Sequence, residues 1–282
     1  MVKAVVLDID GVIIGNLSGF NFPYPSKEVS KALKKIHGKG IPVSFLTGKT
    51  TFAAWENISK IGIDNPHIAD GGAIIFNPVQ GKIVKKEILN KESIKKLINL
   101  LPYNYFNFFT TENYYLLKSS ENEYTKIYEK FIGKPPILVD SKIEVLESSE
   151  ISKLNISSFN IDEKEKITSA LNTLSDEFNF SWSRGPNTGE VETVVVTSKL
   201  ASKKQGVKYL SEYLGIDLKD VLGVGDTIHD WDFIEICGYK GAMGNATEEL
   251  KSKFNFKNDN EFLGGNVNED GIIKILENFN LI

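Results

Sequence analysis

Val2-Lys3-Ala4-Val5-Val6-Leu7-Asp8-Ile9-Asp10-Gly11 follows the first methionine of this 282-residue chain. The β-branched run 2–7 reads as a buried strand, because a strand covered on both faces of a parallel sheet shows no polar alternation. Asp8, Asp10 and Gly11 mark its carboxyl end. Outward from that strand the chain keeps a strand–helix rhythm. Ser26 is a candidate N-cap for a helix to about Gly38, with Val29, Leu33 and Ile36 at helical spacing. A strand follows over 41–46, ending at Thr47-Gly48-Lys49; then come a helix over 51–61 and a short strand over 67–69. The rhythm returns late. A helix is expected over 203–214, a strand over 221–224 ending at Gly225-Asp226, a helix over 230–237 and a strand over 241–243. Such alternation predicts an α/β fold with a Rossmann-like parallel sheet and right-handed crossovers.

The middle differs. From 79 to 193 aromatic-rich segments (103–109, 114–118 and 142–146, read as strands) stand among amphipathic helices, as in an inserted α+β domain with its own core. The expected division is a core domain of 1–78 and 194–282 and an insert of 79–193. Asp70-Gly71-Gly72 and the loop 184–189 are the expected hinge regions.

Composition narrows the function classes. With 41% hydrophobic and 25% charged residues and a net charge of -4, the chain is of ordinary globular type and lacks the basic excess of a nucleic-acid binder. Lysines alternate with glutamates, as in Glu163-Lys164-Glu165-Lys166, which reads as solvated helix faces. The single cysteine, Cys237, rules out an internal disulfide and reads as a small buried side chain. No signal-peptide pattern is present, and no apolar run reaches the ~18 residues of a membrane span, so a cytoplasmic protein without membrane partners is expected.

Ligands of open parallel sheets bind beyond the carboxyl ends of the strands. Three such ends carry polar residues here: Asp8 with Asp10, Thr47 with Gly48, and Asp226 with Asp230; Lys203 opens a late helix. Taken singly, each has a structural reading: turn carboxylates, a helix cap, a solvated lysine. In this order they resemble the four motifs of the haloacid dehalogenase-like (HAD) hydrolase superfamily, and closely its Cof-type (subfamily IIB) phosphatases with a C2-type cap between the second and third motifs. Asp70-Gly71-Gly72-Ala73 and Gly241-Ala242-Met243-Gly244-Asn245-Ala246 add to the resemblance.

The resemblance implies a magnesium-dependent phosphatase acting on a small phosphate ester, a sugar phosphate or a phosphoglycolate-like acid. Asp8 would be the nucleophile and Asp10 the general acid and base. The metal would be held by Asp8, Asp226 and the Asp10 carbonyl, with Asp230 orienting its waters and Lys203. Thr47, Gly48 and Lys203 would bind the transferring phosphoryl group. Asp10 separates this chemistry from that of the dehalogenases, which lack the second aspartate, and of the transport ATPases, which carry threonine there; its structural alternative is a turn cap. A phosphomutase and a non-catalytic binding protein are the competing readings.

Gly48-Lys49-Thr50 fails as a P-loop because Val43 stands where that motif needs glycine. Lys204 and Lys199 are alternatives to Lys203, and His229 stands where asparagine is frequent. On the analogy of capped relatives, specificity belongs to the insert. There Trp182 (stacking on a sugar) and Arg184 (binding an anion) are candidate cap residues, near Asn187 and Glu190, with a packed tryptophan and a surface arginine as the alternatives. The Gly15–Pro25 loop is a further candidate for shaping the pocket.

Overall fold

A computed structural model describes residues 1–184 and 191–282. The chain divides into two compact units. One comprises 1–48, 55–84 and 203–282, the other 49–54 and 85–202.

Among the described residues the first unit is built on a sheet whose strands run, in spatial order, Glu261–Leu263, Tyr239–Ala242, Val221–Gly225, Ala4–Asp8, Val43–Leu46, His67–Ala69, Ile74–Asn77 and Lys82–Lys86. Pairing is parallel from Glu261–Leu263 to His67–Ala69 and turns antiparallel at Ile74–Asn77. The strand Ala4–Asp8 is wholly buried. From it the chain winds outward through Val43–Leu46, then returns on the opposite side through Val221–Gly225, so the winding reverses at this strand. Such a reversal opens a crevice beyond the carboxyl ends. Helix Lys27–Gly38 starts where Ser26 accepts from the Val29 N–H at 3.1 Å, and it buries Val29, Leu33 and Ile36. Cys237 is buried and donates to the Phe233 carbonyl; burial pushes its thiol up to about 12, as expected of a packing residue.

The second unit carries a sheet ordered Phe178–Arg184, Glu192–Ser198, Lys153–Ser158, Tyr105–Phe109, Tyr114–Leu117 and Ile137–Val139, antiparallel except for its last pair. Alternation along Tyr105–Phe109 feeds two cores: Phe106 and Phe108 join one apolar cluster, Tyr105 and Phe109 the other.

The structure departs from the sequence reading at three places. Residues 142–146, read as a strand, begin the helix Lys142–Ser148. Ser141 caps it by accepting from the Ile143 N–H, and Lys142, Val145 and Leu146 are buried at spacings of three and four, so the short alternation was coincidental. Asp70–Gly72, read as a hinge, is a turn inside the first unit, with Asp70 and Gly72 buried and the Gly71 N–H donating to the Thr47 carbonyl. Finally, the units divide at 84/85 and 202/203, not at 78/79 and 193/194. Glu192–Ser198 pairs along its length with Lys153–Ser158, which carries the second unit past 193.

Candidate active site

Strand register brings three chain segments to one edge. Asp8 pairs with Leu46, so Thr47 and Gly48 start one step beyond it on one side. Leu7 pairs with Val224, which sets Gly225 level with Asp8 and Asp226 one step beyond on the other. Asp8, Asp226 and Asp230 then present carboxylate oxygens within 4.8 Å of one another. Close approach here depends on missing side chains. Gly11 has φ +77°, and a Cβ on it would lie 1.9 Å from Asp226 Oδ2; a Cβ on Gly225 would lie 2.3 Å from Asp230 Cβ.

Lys203, the first residue of helix Lys203–Leu214, donates from Nζ to Asp8 Oδ1 at 2.7 Å and to Asp230 Oδ1 at 2.5 Å. Lys204 turns away, with its Nζ on Glu235 and its N–H on Asp232. Lys199 is exposed and belongs to the second unit. Of Lys199, Lys203 and Lys204, it is Lys203 that the fold brings to Asp8. Asp230 is 1% exposed, and its second oxygen accepts from the Asp226 and Thr227 N–H groups and the Thr227 hydroxyl. Both of its oxygens are thus engaged by protein donors. Thr47 is buried, its N–H on the Ile68 carbonyl, while Gly48 and Asp10 are exposed at the strand ends. His229 is exposed in the turn Ile228–Asp230.

The electrostatics are those of a site short of positive charge. Burial pushes Asp8 up to about 8, against the pull of Lys203. Burial, with Asp230 adding to it, pushes Asp226 up to about 7. Asp230 goes the other way: burial raises it, but Lys203 and the backbone donors prevail and hold it low. Burial also opposes the charge on Lys203, yet Asp8 and Asp230 together hold it above the ordinary range. Ionising all three carboxylates against one ammonium would leave two negative charges uncompensated. A hard divalent cation fits that donor set, since carboxylate oxygens are the ligands Mg²⁺ takes and its charge would cancel the excess.

The model of the haloacid dehalogenase-like hydrolase family matches residues 5–276. The chain belongs to the haloacid dehalogenase-like hydrolases. Curated relatives of these HAD hydrolases include a Bacillus subtilis phosphatase, 25% identical over 89% of this chain and 92% of its own length. A phosphoglycolate phosphatase of Methanobrevibacter smithii is 23% identical over 99% and 98%. Among solved structures, a HAD subclass IIB sugar phosphatase superposes with a TM-score of 0.75 at 22% identity, covering 99% of this chain and 100% of that one. The HAD fold, with a core sheet and an inserted α+β cap, is therefore that of this chain. No helix among the described residues is long and apolar enough to cross a membrane.

The cap candidates fare differently from the core ones. Trp182 lies half-buried in strand Phe178–Arg184 and packs against the cap's larger apolar cluster, with Lys164 Nζ 5.3 Å from its ring centre. The Arg184 side chain and residues 185–190, with Asn187, Glu190 and the expected hinge, lie outside the described residues. The Gly15–Pro25 loop is tied down by Asn21, which is 1% exposed and donates to the Val267 carbonyl at 2.9 Å and to Asn268 Oδ1 at 3.2 Å. Sequence reading missed Asn21, since an asparagine in a polar loop gives no sign that it is buried.

Proposed function

We propose that this chain is a magnesium-dependent phosphatase that hydrolyses a small phosphorylated metabolite through an aspartyl phosphate on Asp8. Its membership of a hydrolase family with curated phosphatase relatives makes it a phosphoric monoester hydrolase. The finer reading rests on one observation: a half-buried lysine held between the buried Asp8 and Asp230, with Asp226 beside them at the same sheet edge. Catalysis resides in the first unit, and the second is the cap.

An Asp8 oxygen attacks phosphorus as the bond to the ester oxygen breaks, and Asp10 delivers its proton to that leaving oxygen. Asp10, now ionised, takes a proton from water, which attacks the aspartyl phosphate and releases inorganic phosphate. Asp8 is thereby restored as a carboxylate and Asp10 as an acid. The Thr47 hydroxyl and the Gly48 N–H donate to the phosphoryl oxygens, where charge accumulates in the transition state. Lys203 favours the ionised form of Asp8, against the opposing effect of burial, and aims it, and Asp230 holds Lys203 in place. Asp8, Asp226 and the Asp10 carbonyl would hold Mg²⁺, with Asp230 behind them. When bound, the ion supplies the positive charge that lets an anionic ester meet an anionic nucleophile.

The substrate class is a sugar phosphate or a phosphoglycolate-like acid, by analogy with the relatives of those activities. The test is phosphate release from sugar phosphates, phosphoglycolate and p-nitrophenyl phosphate, with Mg²⁺ and with EDTA. Mg²⁺-dependent release is expected. Isomerised substrate without free phosphate would instead identify a phosphomutase, and inactivity on the whole panel a binding protein.

A further inference from the structure

The stretch Gly241-Ala242-Met243-Gly244-Asn245-Ala246 takes no part in that chemistry, yet it touches both carboxylate-bearing loops. Asn245 Nδ2 donates to the Gly11 carbonyl at 2.9 Å, and Asn245 Oδ1 accepts from the Val267 N–H at 2.8 Å. Two residues on, the Thr247 N–H donates to the Asp226 carbonyl at 2.9 Å; two residues back, the Met243 N–H donates to the Gly225 carbonyl at 3.2 Å. Behind this turn the Gly244 N–H is anchored on the Gly265 carbonyl at 2.8 Å, and a Cβ on Gly244 would meet Gly265 at 2.7 Å. One rigid turn thus grips the loop after Asp8 with a side chain and the loop of Asp226 with its backbone. Asparagine suits the position because it offers a donor to a carbonyl and an acceptor to an N–H at once.

We infer that Asn245 is a positioning residue for metal binding, setting the spacing between the Asp8–Gly11 loop and Asp226 and thereby the affinity for Mg²⁺. The inference rests on the magnesium reading above. Gly11 and Asp226 are already in van der Waals conflict for anything larger than glycine, so a small slip of either loop moves a ligand oxygen. Hydrogen-bond partners that orient metal ligands typically weigh about 10- to 100-fold in metal affinity.

The test is calorimetric titration of Mg²⁺ alone into wild-type protein, Asn245→Leu, Asn245→Ser and Asn268→Ala. Melting in EDTA first establishes that each variant is folded; two substitutions of different size guard against one that is not. Both Asn245 variants should bind Mg²⁺ about 10- to 100-fold more weakly. Their turnover should recover as Mg²⁺ is raised, which loss of a purely structural contact would not produce. Asn268→Ala removes contacts of Asn16 and Asn21 with the same C-terminal segment without touching Gly11, and should bind like wild type. Equal affinity in wild type and the Asn245 variants overturns the inference, as does equal weakening by Asn268→Ala. A wild-type protein that binds no Mg²⁺ overturns the magnesium reading and this one with it.

Discussion

Lys203 Nζ stands 2.7 Å from Asp8 Oδ1 while the same nitrogen reaches Asp230 Oδ1 at 2.5 Å. One ammonium therefore links the end of the first strand to the turn after Val221–Gly225, residues 195 and 27 positions away from it in sequence. The link offsets part of the cost of burying these carboxylates: it holds Asp230 low, although burial still prevails at Asp8.

Replacing Lys203 by methionine leaves that buried carboxylate group with no compensating charge. A loss of about 3–5 kcal/mol is expected, the range for breaking a buried pair from one side. Urea unfolding in EDTA measures it, and millimolar Mg²⁺ should restore part of the loss. Unchanged stability in EDTA would mean that the ammonium contributes nothing to holding the site together.

Asp8→Asn removes the nucleophile but keeps its shape. Turnover should fall by at least about 10³-fold, as for other residues that form the covalent intermediate. Circular dichroism should show a folded protein. Near-wild-type activity in this variant would refute the covalent route.

Asp10→Asn separates the proton's role from the metal's. The loss should be greatest for sugar phosphates, whose alkoxide leaving groups need a proton, and least for p-nitrophenyl phosphate. A uniform loss across leaving groups would assign Asp10 to positioning alone.

Gly11→Ala should disable the site without replacing any proposed ligand. Its Cβ would occupy the place of Asp226 Oδ2, and φ +77° disfavours alanine in addition. Displacement of that order commonly costs about 10²-fold in rate, and steady-state kinetics at saturating Mg²⁺ would register it.

His67 sets a pH limit far from the chemistry. It is fully buried and stacked on Phe45; its Nδ1 accepts from the Phe45 N–H, and its Nε2 lies 3.2 Å from the Ile63 carbonyl. These contacts suit the neutral ring protonated at Nε2, and burial pushes its pKa from 6.5 down to about 3. Between those values the unfolded chain binds a proton that the native ring refuses. Its stabilising contribution is therefore complete above pH 6.5 and is lost as pH falls toward 3. From pH 7.5 to 5.0 this group should withdraw about 2 kcal/mol, at ~1.4 kcal/mol per pH unit below 6.5. Urea unfolding at the two pH values, for wild type and for His67→Asn, checks it; the variant should start less stable and fall less steeply.

Much of the first and last thirds of the chain was legible where strands and helices carry their own local signal, although Ile74–Asn77, Lys82–Lys86, Glu261–Leu263 and Ile272–Asn278 went unread. The uninterrupted apolar run before Asp8, the Ser26 cap and the apolar spacing after it need no distant partner to be read. The middle misled where a short segment satisfies two periods: residues 142–146 alternate as a strand would, and only the Ser141 cap and the burial of Val145 and Leu146 resolve them as helix. Trp182 shows the same limit for side chains, since an aromatic residue in a strand reads alike whether it faces a ligand or a core.

By itself the sequence determined the parallel-sheet core, the inserted cap and the candidate carboxylates Asp8, Asp10 and Asp226, because strand ends and motif spacing are local properties of the chain. Only the tertiary structure decided that Lys203 rather than Lys204 meets Asp8, that Asp230 has both oxygens engaged, and that Asn245 joins two loops. Those contacts join residues up to 234 positions apart, and what selects them is register, burial and the absence of a Cβ at Gly11.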